Sequence, residues 1–346
     1  MDYLTFNMIK NILIFILASF TIFTMSGQDQ ITLEQAVSDA EKSIQKLVTE
    51  NKAVGLTAGV ARDGQIIWQD HEGLEDKKNK VAFDANTVSR MASIAKPMTC
   101  VAILQLHEQG LLDIDATIDT YLPDYPKDKA SRITVKQLMQ HSSGIGQYKN
   151  KKENNNKKHY KNFNAAMDIF SNRKLVFDPG SSFGYSSYGY TVLGAIIESA
   201  SGMSYGDYMK KHIWDIAGMQ TITIENSKQT YEHQSVPYHR QSNGKIKVTD
   251  GVDLSDRVPA GGFQCTAEDI LRFGMALMDG SLINDSSFEM MMTDSGLKKE
   301  GNPYGMGLFL YGDNPQFGNV VGHTGCLLYT SPSPRDATLS RMPSSA

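Results

Sequence analysis

A chain of 346 residues can bury a substantial core, as one large domain or two smaller ones. With 40% hydrophobic and 21% charged residues it is composed like a soluble globular protein, and a formal net charge of -4 lacks the basic excess of a nucleic-acid binder. Cys100, Cys265 and Cys326 are an odd number at wide spacing, so neither a disulfide framework nor a metal knuckle follows from them.

Lys10 precedes an apolar run from Ile12 to Met25, followed by Ser26-Gly27-Gln28-Asp29. A basic start, a short greasy segment and a small-residue exit form the pattern of a signal peptide, so residues 1–27 predict export, secreted or periplasmic. The run is too short to span a bilayer comfortably, and no stable membrane anchor is expected beyond it; an uncleaved segment would tether the chain.

Val37, Ala40, Ile44 and Leu47 recur at helical spacing and predict an amphipathic helix over 33–50. Two apolar runs, 55–61 and 65–68, flank Arg62-Asp63-Gly64, a hairpin signal because Asp and Gly tolerate the positive φ of a tight turn. A helix followed by a hairpin predicts an α+β fold, an antiparallel sheet flanked by helices. A second helix is expected over 94–109, with Pro97 in its first turn and Gly110 as its stop. A mainly helical lobe follows, with candidates at 134–141, 164–171, 189–200 and 204–213. The Lys/Asn-rich run from Lys149 to Asn162 reads as a solvated loop, and Thr266-Ala267-Glu268-Asp269 opens a further helix.

The last segment changes character. From Ser331-Pro332-Ser333-Pro334 to Ser344-Ser345-Ala346 it is rich in Ser and Pro and has no apolar periodicity. It reads like translated adapter or vector sequence beginning near Cys326, so residues 326–346 are expected to be non-native. Residues 28–325 would then be one incomplete domain, truncated at its C-terminus. Loss of the following strands would expose a sheet edge and part of the core, and the literal chain is expected to fold poorly even where the parent enzyme is active.

Three motifs in one order carry the chemistry: Ser93-Ile94-Ala95-Lys96, Tyr185-Ser186-Ser187 and His323-Thr324-Gly325. Ser-x-x-Lys alone is weak, since Ser43/Lys46, Ser171/Lys174, Ser242/Lys245 and Ser295/Lys298 match it too. Ser93 differs in context: it follows a strand-like stretch and opens a helix, at the positive end of the helix dipole. The spacing of three puts Lys96 on the same face, where a desolvated amine can take the serine proton. Tyr185, in a glycine-rich loop ahead of a helix, is the candidate second proton carrier. His323 follows Val320-Val321 at a strand edge, where a cation would hold a substrate carboxylate and the small Gly325 would let backbone approach backbone. Two Gly-x-Ser-x-Gly stretches around Ser182 and Ser204 compete as nucleophile elbows, but neither has the strand-then-helix context that motif needs. His159, His212, His233 and His239 show no metal-ligand spacing, so no metal and no cofactor are expected.

The three motifs resemble those of the serine beta-lactamase-related family, which comprises class C beta-lactamases, D-alanyl-D-alanine carboxypeptidases and allied esterases. The likeness runs from about residue 33 to Gly325. It includes Ile133-Thr134-Val135-Lys136-Gln137-Leu138 through His141-Ser142-Ser143-Gly144, Tyr188-Gly189-Tyr190 through Glu198, and Pro259-Ala260-Gly261-Gly262. In motif style the chain is most similar to the mitochondrial serine beta-lactamase-like proteins and their bacterial relatives. The resemblance implies a beta-lactamase/transpeptidase-like fold and an acyl-enzyme mechanism on a peptide, amide or ester. It implies Ser93 as nucleophile, Lys96 as base, Tyr185 as proton donor to the leaving group, and His323 as the third catalytic group. Ser187, Thr324 and Gly325 would line the substrate, with backbone N–H groups of Ser93 and residue 326 holding the oxyanion. The only partner implied is a small-molecule or peptide substrate. Ser187 stands where the family often has Asn, and His323 where it often has Lys; both changes favour peptidase or esterase activity over efficient beta-lactamase activity. His323 predicts a pH-rate inflection between about pH 6 and 7.5. The alternative is a penicillin-recognising fold kept as a binding or scaffold protein without turnover.

Overall fold

The computed structural model describes residues 32–241, 243–249, 251–297, 303–314 and 318–325. The expected signal segment (1–27) and the expected non-native tail (326–346) lie outside the described residues.

The chain opens with α1 (Leu33–Thr49), capped by Thr32, whose side chain accepts the Gln35 N–H. Its apolar face packs on a hairpin of β1 (Gly55–Arg62) and β2 (Gln65–Asp76), antiparallel and joined at Asp63-Gly64, both with positive φ. The short β3 (Val81–Ala82) adds to the far edge of β2. On the other flank, α8 (Ala267–Met278) packs on β1, and Gly59 makes that approach possible, since a Cβ there would stand 2.7 Å from Leu271 Cδ1.

A second three-stranded antiparallel group has β8 (Phe263–Cys265) between β4 (Ser89–Arg90) and β5 (Thr223–Ile224). Two hairpins, β6 (Tyr238–Arg240) with β7 (Ile246–Val248) and β9 (Phe309–Asn314) with β10 (Gly318–Gly322), complete the described ladders, all antiparallel. Among the described residues the strands fall into these four groups.

The helical lobe is centred on α2 (Ala95–Glu108) and α5 (Ser187–Ser201). Both are apolar around most of their circumference, the signature of a helix surrounded by protein rather than lying on a surface. Every residue of α2 from Ala95 to Leu106 is buried, and so is every residue of α5 from Ser187 to Ile197. The short α3 (Val135–Met139), α4 (Phe163–Met167), α6 (Tyr205–Met209) and α7 (Val258–Gly261) pack around this pair. Local chemistry sets the ends: a capping box at Thr134 with Gln137, Ser186 accepting the Gly189 N–H ahead of α5, and Gly202 at φ 69° closing it.

One sequence expectation is corrected here. The run from Lys149 to Asn162 is not a free solvated loop. Its Lys151–Asn154 segment forms a helical turn, Glu153 makes paired hydrogen bonds to Arg173, and the carbonyls of Glu153 and Asn154 accept from Arg257 Nη2 at 2.9 and 3.0 Å. The reason is Arg257, which is buried and must find acceptors on all sides; Asp256 and these two carbonyls supply them.

Candidate active site

β4 leads into Met91, whose N–H donates to the Phe263 carbonyl at 3.0 Å, fixing the chain just before Ser93. Ala92 sits at φ 51°, a left-handed conformation costing on the order of 1–3 kcal/mol for a residue with a Cβ. The strained residue is held by close packing: a Cβ on Gly261 would come within 3.2 Å of the Ala92 carbonyl carbon. Ala92–Ile94 form a 3₁₀ turn that runs directly into α2, so Ser93, half-buried, stands at the helix N-terminus.

Lys96, one turn on, has 0% of its surface exposed. Its Nζ lies 3.0 Å from Ser93 Oγ and donates to the Ala260 carbonyl at 2.8 Å. Among the described residues no carboxylate contacts it. Burial, reinforced by the positive charge of Arg257, holds the amine well below the ordinary lysine range. Thr99, the next residue on that face, donates to the Pro259 carbonyl at 2.7 Å, so α7 is fastened to α2 beside Lys96. Cys100 is buried beneath, and desolvation pushes its thiol up to about 12, leaving it inert as a nucleophile.

Tyr185 lies at the end of the loop that enters α5, with Lys96 Nζ 4.9 Å from its ring centroid. Two residues on, Ser187 is buried; its Oγ accepts from Gln147 Nε2 at 3.2 Å and its N–H donates to Gln147 Oε1 at 2.9 Å. The side chain at the asparagine position is thus turned to Gln147, which is itself half-exposed.

The third motif closes the opposite wall. A Cβ on Gly325 would stand 2.4 Å from the Met91 carbonyl oxygen, so the segment lies backbone against backbone on the residues preceding Ser93. Thr324 and Gly325 are exposed. His323 Nδ1 meets the Thr324 carbonyl at 2.7 Å and must carry the proton there, since a carbonyl can only accept. Nε2 then accepts from the Tyr304 hydroxyl at 3.1 Å. Burial and the neighbouring Lys96 pull the imidazole down to about 3. That direction, with both ring nitrogens engaged, argues against the expected inflection between pH 6 and 7.5 and against a cation at this edge for a substrate carboxylate.

The structure brings Ser93, Lys96, Tyr185, His323, Thr324 and Gly325 together around one cleft; Cys326, expected to supply an oxyanion N–H, lies outside the described residues. The rival serines are elsewhere. Ser182 sits in an irregular loop, and Ser204 caps α6 with its Oγ donating to Asp207 Oδ2 at 2.6 Å; no described strand enters either. Sequence reasoning missed three contributors: the Ala260 carbonyl that anchors Lys96, Tyr304 behind His323, and His141 beside Tyr185. His141 and Ala260 each lay in a stretch that carried the resemblance, His141-Ser142-Ser143-Gly144 and Pro259-Ala260-Gly261-Gly262, but neither stretch gave a role, and Tyr304 had no signal at all.

A serine hydroxyl against a buried lysine with no described carboxylate beside it, and a tyrosine and a strand edge across the cleft, defines the serine beta-lactamase-like class of hydrolase folds. The chain belongs to the beta-lactamase family, which residues 40–333 match. It is 30% identical over 314 residues to the human mitochondrial serine beta-lactamase-like protein LACTB, covering 71% of this chain and 57% of that protein. It is 31% identical over 286 residues to PbpX of Bacillus subtilis (strain 168), a penicillin-binding protein by name, covering 80% of this chain and 68% of that one. Among solved structures, the D-amino acid amidase of Ochrobactrum anthropi SV3 superposes with a TM-score of 0.72 at 23% identity, covering 84% of each chain; that likeness speaks to the fold. The chain thus spans little more than half the length of the mitochondrial relative. Other proteins it matches are named penicillin-binding protein 4* in Bacillus subtilis (strain 168), at 29% identity, and esterase EstB in Burkholderia gladioli, at 26%.

Proposed function

We propose that this chain is an exported serine hydrolase that cleaves an amide, peptide or ester through an acyl-enzyme. The observation that carries the reading is the 3.0 Å contact between Ser93 Oγ and a fully buried Lys96 whose remaining described hydrogen-bond partner is a neutral carbonyl. An uncharged amine in that position accepts the hydroxyl proton as Ser93 Oγ attacks the substrate carbonyl carbon. The oxyanion that forms faces the N-terminus of α2, where the Ser93 N–H and the helix dipole favour negative charge. Collapse expels the leaving group, protonated by Tyr185, which recovers its proton from Lys96. Water then attacks the ester; its proton passes to the Tyr185–Lys96 pair and the Ser93 hydroxyl is restored.

The His323 edge narrows the substrate. A neutral imidazole with both nitrogens engaged offers no charge to a carboxylate, which favours esters and amides without an adjacent carboxylate over beta-lactams. Export rests on the pattern of residues 1–27; among the described residues no helix is long and apolar enough to cross a membrane.

Intact-mass analysis after treatment with a fluorophosphonate tests the reading. A single adduct that maps to Ser93 and is lost in Ser93→Ala is expected. Full-length, folded protein with no adduct would establish the scaffold alternative, and labelling at Ser182 or Ser204 would establish the elbow reading.

A further inference from the structure

One residue grips the backbone on both sides of Tyr185. The Gly184 N–H donates to the His141 carbonyl at 2.7 Å, and the Ser186 N–H donates to His141 Nδ1 at 3.1 Å. Between these two bonds the imidazole packs on the Tyr185 ring itself, with centroids 4.2 Å apart and planes tilted by 39°. Because Nδ1 accepts, the proton of the neutral ring must sit on Nε2. That Nε2 is buried and has no hydrogen-bond partner among the described residues, and its ring lies among Tyr190 (5.1 Å) and Tyr304 (4.8 Å) as well as Tyr185.

Two features show that the fold bears a cost to keep this arrangement. His141 is 1% exposed and stands at φ 57°, a strained conformation for a residue with a Cβ. Its ring buries an unpartnered N–H, which costs free energy that packing alone would avoid by using an aromatic hydrocarbon. Burial, with Lys96 and His323 nearby, keeps the imidazole well below its ordinary value, so the Nδ1 lone pair stays available to Ser186.

We infer that His141 is the positioning residue for Tyr185: as a neutral Nε2–H tautomer it locks residues 184 and 186 and fixes the phenol where it can deliver a proton to the leaving group. The inference rests on the acyl-enzyme reading above. His141 touches no substrate; it acts through Tyr185.

A positioning role differs from mere packing in what it does to leaving groups. p-Nitrophenolate departs without a proton, whereas an alkoxide must be protonated as it leaves. The full chain and its Tyr185→Phe, His141→Phe and His141→Asn variants are therefore assayed on p-nitrophenyl butyrate and ethyl butyrate. Asn tolerates positive φ and its Oδ1 stands in for Nδ1 as acceptor. Tyr185→Phe is expected to lower kcat/KM on the ethyl ester by about 10²-fold or more relative to the aryl ester, the scale of a lost general acid. His141→Phe should shift the same ratio by at least about tenfold, and His141→Asn by less than about threefold, since it alone restores the acceptor. Equal losses on both esters in His141→Phe, or an Asn variant as shifted as Phe, would overturn the inference.

Should the Phe variant fail to fold, ¹⁵N-histidine spectra decide, with the His141 signal assigned by its disappearance in His141→Asn. A ring fixed as the neutral Nε2–H tautomer from pH 5 to 8 supports the inference; a ring protonated on Nδ1 overturns it. Fluorophosphonate labelling of Ser93 in the unaltered chain keeps the two readings separable: a labelled serine with equal ester losses fells the role of His141 and leaves the hydrolase standing.

Discussion

The wall that carries Lys96 and the wall that carries His323 face the same serine but differ in burial and in what holds them. Lys96 is enclosed by α2, α5 and α7 and tied to Ala260, with Thr99 fastening α7 one turn further along. Across the cleft, β9 and β10 pair as a hairpin, Thr324 and Gly325 are exposed, and one contact to the first wall is the backbone approach of Gly325 to Met91. The contrast teaches where each job can be done. Shifting a lysine to the uncharged form requires removing it from water, so the base belongs in the core. Receiving a substrate requires an open edge, so recognition belongs at the surface.

The largest effect should come from breaking the buried wall. Lys96→Met keeps the volume and removes the proposed base; kcat/KM on an ester turned over by the parent chain is expected to fall by about 10²–10⁴-fold. Stability should move the opposite way with pH. A lysine depressed in the folded state leaves the unfolded chain holding the extra proton between the folded value and the ordinary value of 10.5. Stability of the parent therefore rises with pH through that window, and the gap in favour of Lys96→Met closes toward pH 10.5. Urea melts of both proteins across that range check it; a gap that widens with pH would show that Lys96 is charged in the fold.

Next in size is the seam between the walls. Gly325→Ala places a methyl 2.4 Å from a backbone oxygen that cannot rotate away, so the third motif must shift off Met91. A loss of about 1–3 kcal/mol and at least a tenfold drop in kcat/KM are expected, the usual scale of overpacking and of a misplaced active-site wall. Unchanged stability would mean the walls are not seated on one another.

Smaller still is Ser204→Ala, outside both walls. It removes the cap that accepts the Asp207 N–H at 3.2 Å and should cost about 1 kcal/mol, with turnover untouched. A lost activity there would revive the elbow reading.

What was readable in the sequence divides along the same line as the walls. Ser93 and Lys96 are three residues apart on one helix, so their meeting followed from helical geometry, and the hairpin at Asp63-Gly64 followed from turn chemistry. The Ala260 carbonyl lies 164 residues from Lys96, and no local pattern announces that contact. His141 was in view as part of a motif, but its grip on Tyr185 depends on a positive φ and a loop 45 residues on. The polar run from Lys149 misled because composition reports how residues like water, while Arg257, buried far along the chain, recruits their backbone carbonyls instead. His323 was read from its ordinary titration range, and only the packing of Tyr304 and the Thr324 carbonyl shows that its two nitrogens are already engaged.

That engagement sets the smallest expected effect. If His323 is a neutral spacer that hydrogen-bonds Tyr304, then His323→Gln, which also offers a donor and an acceptor, should change kcat/KM on an uncharged ester by no more than a few-fold, about 1 kcal/mol or less. The pH-rate curve of the parent should run flat between pH 6 and 7.5 as far as His323 is concerned, and the variant should superimpose on it. The imidazole should instead register in stability under acid. With a folded value pulled down to about 3 against an ordinary 6.5, the unfolded chain binds the extra proton between those limits, so this contribution is complete above 6.5 and is lost as pH falls toward 3. Melting temperatures of the parent should therefore drop more steeply than those of His323→Gln across that interval. A parent curve with an inflection near 6.5 that vanishes in the variant would show His323 titrating in the open cleft, and the exposed wall would then carry charge after all.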